Sequence, residues 1–143
     1  MSAQGLEVID ETVQHTHQWL NELAERIETE DRRRALRLLR AALRAIRDEI
    51  PHSEAAHLSS QLPVLVRGFY WEGWRPSETP AKDRSREAFL ARVGQFYDPG
   101  PNGSLEADVE EVFRLLNGRV AGGEVEDVRR CLPEEIRESW PAA

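Results

Sequence analysis

The sequence predicts a single all-α domain, a helical bundle of about eight helices formed from two related four-helix units. Three observations lead to this prediction. Apolar residues recur at intervals of three and four, no segment alternates apolar and polar residues for long enough to predict a strand, and the apolar pattern of the first half returns in the second.

The composition is that of a water-soluble globular protein. The chain has 143 residues, of which 40% are hydrophobic and 31% are charged, so one core can form without disulfides or metals. Cys131 is the only cysteine, which excludes an internal disulfide and fits a reducing compartment. No window is apolar enough for a membrane span, and the first residues lack the pattern of a signal peptide. We therefore expect a cytoplasmic protein that does not bind membranes.

The internal repeat has an offset of seventy residues. Residues 19–70 align with residues 89–140 without a gap, and the apolar positions coincide. Matched pairs include Trp19 with Phe89, Leu39 with Val109, Leu43 with Phe113, Ile46 with Leu116 and Tyr70 with Trp140. We predict one domain over residues 1–143, with a first helical repeat at 9–72, a linker at 73–82 and a second helical repeat at 83–140.

Four helices are predicted in the first repeat. Leu39, Leu43 and Ile46 lie on one helical face, Ser53 suits an N-cap, and Pro63 suits a first helical turn. The predicted ranges are 9–28, 31–49, 53–61 and 63–71. Gly73 to Pro80 contains two prolines, which prevents regular structure and predicts the linker.

Four further helices are predicted in the second repeat. Ser104 suits an N-cap, Pro133 suits a first turn, and the segment from Pro99 to Gly103 breaks any helix. The predicted ranges are 83–97, 104–120, 122–131 and 133–140.

Several local motifs resemble a known family. They are Gln61-Leu62-Pro63, Arg67-Gly68-Phe69-Tyr70, Glu72-Gly73-Trp74-Arg75-Pro76 and Gly123-Glu124-Val125-Glu126-Asp127-Val128. With these motifs the chain resembles, from the first helix to Trp140, the bacterial family catalogued as domain of unknown function 2267. The resemblance implies a helical, duplicated, intracellular bacterial protein without an assigned activity.

An arginine row is the most unusual local feature. It consists of Arg33, Arg37, Arg40, Arg44 and Arg47, which fall within an arc of about 80° on one helix. One interpretation is a face that is solvated or paired with acids of the first helix, such as Glu22, Glu25 and Glu28. The other is a surface for phosphate, nucleic acid or an acidic partner.

Two observations weigh against the anion-binding interpretation of the arginine row. The net charge is −7, so the long-range field repels phosphate. At the matched positions of the second repeat, only Arg114 keeps the positive charge.

An aromatic group lies where the first repeat ends. Phe69, Trp71 and Trp74 can seal a core, or they can contact a partner protein or a second copy of the chain. Tyr70 matches Trp140, which favours packing for that residue. Trp71 and Trp74 have no counterpart in the second repeat.

Three polar pairs are identical across the repeat. A shared salt bridge or cap explains such pairs, and a duplicated ligand site is the alternative. The pairs are Glu54 with Glu124, Arg44 with Arg114, and Arg67 with Arg137.

The sequence predicts no catalytic residue, no cofactor and no metal site. His15, His17, His52 and His57 form no recognisable ligand set, and no glycine loop has the lysine and strand that phosphate binding requires. We expect a protein-interaction or regulatory module that is not an enzyme, with a protein partner or a homodimer. Nucleic-acid or polyanion binding through the arginine row is the alternative, and an enzyme of unrecognised mechanism is a further one.

Overall fold

The computed structural model describes residues 5–142, and within this range it contains α-helices and no strand. Residues 1–4 and 143, which belong to the predicted domain 1–143, lie outside the described residues. The eight helices are α1 (Glu7–Arg26), α2 (Arg32–Arg47), α3 (His52–Ser60), α4 (Val64–Trp71), α5 (Arg86–Gly94), α6 (Leu105–Arg119), α7 (Gly122–Cys131) and α8 (Glu134–Glu138). The predicted all-α class and helix number are confirmed. None of these helices has the length and apolar character to cross a bilayer.

Helix α2 lies at the centre because most of its circumference is apolar. It packs against α1, α4, α5 and α6. Leucine, isoleucine and small alanine side chains bring the neighbouring helices close to its axis. Its buried apolar residues are Ala35, Leu38, Leu39, Ala41, Ala42, Leu43, Ala45 and Ile46.

Side-chain caps explain where several helices begin. Asp31 accepts a hydrogen bond from the backbone N–H of Arg33, and Ser104 accepts one from Ala107. The predicted cap at Ser104 is therefore confirmed. The predicted cap at Ser53 is wrong, because Ser53 is the second residue of α3 and Pro51 occupies the N-cap position. Pro51 has φ −59° and ψ 154°, which is the extended backbone of an N-cap. Pro63 and Pro133 occupy the same position before α4 and α8, so their predicted place in a first helical turn is wrong.

Helix α5 is shorter than the predicted range 83–97. It begins at Arg86, after Ser85 accepts a hydrogen bond from the N–H of Ala88. The preceding segment is held by Arg84, whose guanidinium donates to the backbone oxygens of Glu49 and Cys131 at 2.7 Å each. These contacts keep residues 83–85 out of the helical conformation that the sequence pattern predicts for them.

Matched positions of the two repeats have similar environments. Leu43 and Phe113 are both completely buried, and Tyr70 and Trp140 are buried at the ends of their repeats. Arg67 donates to the backbone oxygen of Leu62 at 2.9 Å, and Arg137 donates to that of Leu132 at 2.8 Å. These contacts favour the structural interpretation of the Arg67 and Arg137 pair. The duplication itself stays a prediction.

The largest difference between the two halves is the length of their first helix. α1 has 20 residues, whereas α5 has nine. The buried residues of α1 begin at Thr16. More than two turns at the start of this helix therefore have few contacts with the rest of the protein.

Candidate functional site

The α1 seam, which we define as Leu6, Ile9 and Val13, is an apolar stripe that faces solvent. These residues are 52%, 49% and 39% exposed. The steps of three and four place them on the face that continues into the buried Thr16 and Leu20. A single stripe of α1 is therefore buried in its second half and uncovered in its first.

The start of α4 borders the α1 seam on one side. The backbone N–H of Leu65 donates to the hydroxyl of Thr12 at 2.9 Å, which fixes α4 against α1. Val64 and Leu65 are themselves 58% and 39% exposed and enlarge the apolar area. Exposed clusters of this kind commonly mark binding surfaces.

Acidic residues border the seam on its other side. Glu7 and Asp10 lie in the first turn of α1, on the side of the seam away from Thr12 and α4, and near the positive end of the helix dipole. The seam thus combines an apolar centre with a negative flank.

A groove of about 510 Å³ lies on the adjacent face of α1, between that helix and the junction of α3 with α4. Val8 and Val64 contribute apolar walls, and Gln18 and Gln61 contribute amides. Arg119 also lines it, although its guanidinium is bonded to Glu22 at 2.9 Å. The lining therefore mixes apolar, amide and charged side chains.

The arginine row changes from exposed to buried along α2. Arg33 and Arg37 are exposed, while Arg40 and Arg44 both donate to Glu72 Oε1, at 2.9 and 2.7 Å. Arg40 and Arg44 therefore pair with Glu72 and not with Glu22, whose bonds go to Arg26 and Arg119. Glu72 reaches the row because it follows α4, which packs on α2.

Two phenylalanine rings lie beneath the paired arginines. The Arg40 guanidinium is 5.1 Å from the ring centre of Phe69, and that of Arg44 is 5.6 Å from that of Phe96. Cation and ring attract each other at such distances. Phe69, which the sequence analysis considered as a partner contact, therefore contacts Arg40 of the same chain.

Arg47 has a structural position. Its side chain is 4% exposed and pairs with Asp48 at 2.8 Å. The same guanidinium donates to the backbone oxygens of Tyr70 and Glu72, at 2.8 Å each. These bonds fasten the end of α4 to the end of α2.

Trp71 and Trp74 contact each other and their surroundings. The Trp71 ring N–H donates to the hydroxyl of Ser59 at 2.8 Å, and its ring lies edge-on to Trp74 with centres 4.9 Å apart. Trp74 also meets His52 edge-on at 5.3 Å. Both tryptophans are partly buried, and these contacts belong to packing around the linker.

A second group of polar residues lies between α3 and α7. Glu54, His57 and Glu124 place one ligand-type atom each within 4.8 Å of the others. Burial, followed by the hydrogen bond and negative charge of Glu54, raises the pKa of Glu124 to about 8. The repeat marks Glu54 and Glu124 as an identical pair, but it gives no sign that they meet, and His57 had no role in any predicted site.

Comparison with protein families decides the family. A family model described as "Uncharacterized conserved protein (DUF2267)" matches residues 16–139. The chain belongs to the DUF2267 family. The DUF2267 match covers the arginine row, the aromatic group and the group between α3 and α7. It begins after the α1 seam. Comparison with curated proteins gives no match.

Removal of the buried guanidinium of Arg47 should destabilise this DUF2267 protein. We expect Arg47→Ala to lower the free energy of unfolding by about 3 kcal/mol, because Asp48 and two carbonyl oxygens lose their partner. Arg37→Ala is the matched control, with an expected change below about 0.5 kcal/mol. Urea unfolding followed by tryptophan fluorescence measures both. Equal effects of the two substitutions would contradict the assigned role of Arg47.

The paired carboxylate should give a pH-dependent contribution to stability. Burial would raise the pKa of Glu72, but the hydrogen bond from Arg44 and the charges of Arg40 and Arg44 outweigh it and hold the pKa below its usual range. The stabilisation is therefore present above the ordinary glutamate pKa and disappears as the pH falls through the lower folded value.

Glu72→Gln tests this contribution. We expect it to lower the melting temperature at pH 7 by a small amount, equivalent to about 1 kcal/mol at most because Glu72 is exposed to solvent. The difference from the parent protein should shrink below the ordinary glutamate pKa. Glu87→Gln, at an exposed position, is the control. A difference that is independent of pH would show that the charge of Glu72 is not responsible.

Proposed function

We propose that this DUF2267 protein is a cytoplasmic protein-interaction module that binds an amphipathic helix of a partner on the α1 seam. The proposal assigns no catalytic step. The observation that carries it is the apolar stripe of α1. Its residues are buried from Thr16 onwards and exposed at Val13, Ile9 and Leu6.

The spacing of the seam indicates the shape of the partner. Side chains at alternate steps of three and four form the surface on which another helix packs its own apolar residues. The buried part of the same stripe already packs against helices of this protein. A partner helix would therefore extend an arrangement that the core uses.

The charge beside the seam indicates the composition of the partner. Glu7 and Asp10 would face basic residues that flank the apolar stripe of a partner helix. A second copy of this chain fits less well. In an antiparallel pair of identical helices the same flank meets itself, so the acids of both copies would face one another.

The structure gives less support to the alternative function, which is binding of nucleic acid or another polyanion by the arginine row. Arg40, Arg44 and Arg47 are engaged by Glu72, Asp48 and backbone oxygens. Of the five, Arg33 and Arg37 have exposed side chains that would be available to a polyanion. Each residue of the α1 seam, in contrast, is 39% to 52% exposed.

A designed peptide tests the proposal in place of the natural partner. The probe is a labelled peptide of about 21 residues with leucine at the core heptad positions and lysine at the flanking positions, and a second peptide carries glutamate at those flanks. We expect fluorescence anisotropy to show saturable binding of the lysine peptide. The glutamate peptide should bind at least about tenfold more weakly, which corresponds to about 1.4 kcal/mol.

The variant Ile9→Asp, Val13→Asp separates seam binding from simple charge attraction. It should bind the lysine peptide at least about tenfold more weakly although it carries more negative charge. Asn21→Asp, on the exposed polar face of α1, should bind like the parent. Tighter binding by the double variant would contradict the proposal. So would a parent homodimer, seen by sedimentation, that the double variant abolishes.

A further inference from the structure

The contact between α3 and α7 brings together two carboxylates and an imidazole. Glu54 and His57 are one turn apart on α3, and Glu124 lies on the first turn of α7. His57 Nδ1 is 3.9 Å from Glu54 Oε2, and the three ligand-type atoms lie within 4.8 Å of one another.

Two carboxylate oxygens in this group lack a donor. Glu54 Oε2 and Glu124 Oε2 are inaccessible to solvent, and the described residues offer them no hydrogen-bond donor when both carboxylates are ionised. Buried carboxylate oxygens in this state are unfavourable, and the mutual repulsion of two such groups adds to the cost. A cation between them removes both penalties, as does a proton shared between the two carboxyl groups.

The burial of the three side chains is graded. The Glu54 side chain is 16% exposed, whereas that of His57 is 76% exposed. The carboxylates therefore form the inner wall of the group, and the imidazole lies at its opening to solvent. An ion could enter on the side of His57 and keep water as additional ligands.

We propose that Glu54, His57 and Glu124 form a binding site for a divalent first-row transition-metal ion, such as Zn²⁺, between α3 and α7. One imidazole nitrogen and two carboxylate oxygens favour such an ion over Mg²⁺ or Ca²⁺, which prefer oxygen ligands alone.

The required movement is small. Ligand atoms about 2.1 Å from one tetrahedral zinc ion lie about 3.4 Å apart. The exposed His57 side chain can rotate towards the two carboxylates, because solvent surrounds most of it and Glu54 is already within ion-pair distance. The bound ion would hold α3 to α7 and thereby join the two halves of the chain.

Titration calorimetry tests the site on tag-free protein that has been stripped with a chelator. We expect one Zn²⁺ ion per chain with a dissociation constant in the micromolar range or below, and no competition by millimolar Mg²⁺. Glu54→Gln, Glu124→Gln and His57→Ala should each weaken binding by at least about tenfold. His17→Ala, which removes an exposed histidine of α1, should leave binding unchanged.

Paramagnetic broadening by Mn²⁺ locates the ion independently of the variants. Amide signals of residues 52–60 and 122–131 should broaden first in nuclear magnetic resonance spectra. The proposal is overturned if Zn²⁺ shows no saturable binding below about 1 mM. It is equally overturned if binding survives Glu54→Gln and is lost in His17→Ala, or if the broadening centres on α1.

Discussion

Helix α2 is enclosed by four other helices, and every charge on its last turn must therefore find a partner inside the protein. Arg47 is satisfied by Asp48 and by the end of α4. Glu49, which follows the helix and is completely buried, faces Arg92 of α5 at 3.1 Å and Arg84 at 3.8 Å. Unpaired charges are costly at such burial. These contacts therefore hold the end of α4, and helix α5, against the C-terminal end of α2.

The same constraint limits which surfaces are available for binding. The cations of α2 that lie near its C-terminal end are occupied by Glu72 and by backbone oxygens, and two of them also cover phenylalanine rings. Pairing with Glu72 reduces, without cancelling, the positive charge that Arg40 and Arg44 offer to an outside anion. The first turns of α1 and the contact between α3 and α7 are different. In the first turns of α1 apolar side chains are exposed, and between α3 and α7 two carboxylates lie close together beside His57.

Periodicity predicted the helices and the centre of the fold because it reports which face of each helix is apolar. It could not show how far along α1 that face is covered, since Leu6, Ile9 and Val13 have the same spacing as the buried residues that follow. It also could not identify Glu72 as the partner of Arg40 and Arg44, because Glu72 lies next to the linker and reaches them only after α4 has packed on α2. The meeting of Glu54 with Glu124 depends likewise on the packing of α3 against α7, although their identity at matched positions was a visible signal.

Native-state hydrogen exchange of the backbone amides tests the central role of α2 most directly. If α2 is the centre of the core, amides from Leu38 to Ile46 exchange only through global unfolding, with an opening free energy equal to that from urea unfolding. Amides in the first turns of α1 should exchange much faster. Exchange of the α2 amides through a local opening, with a lower free energy than those of α6, would contradict this role.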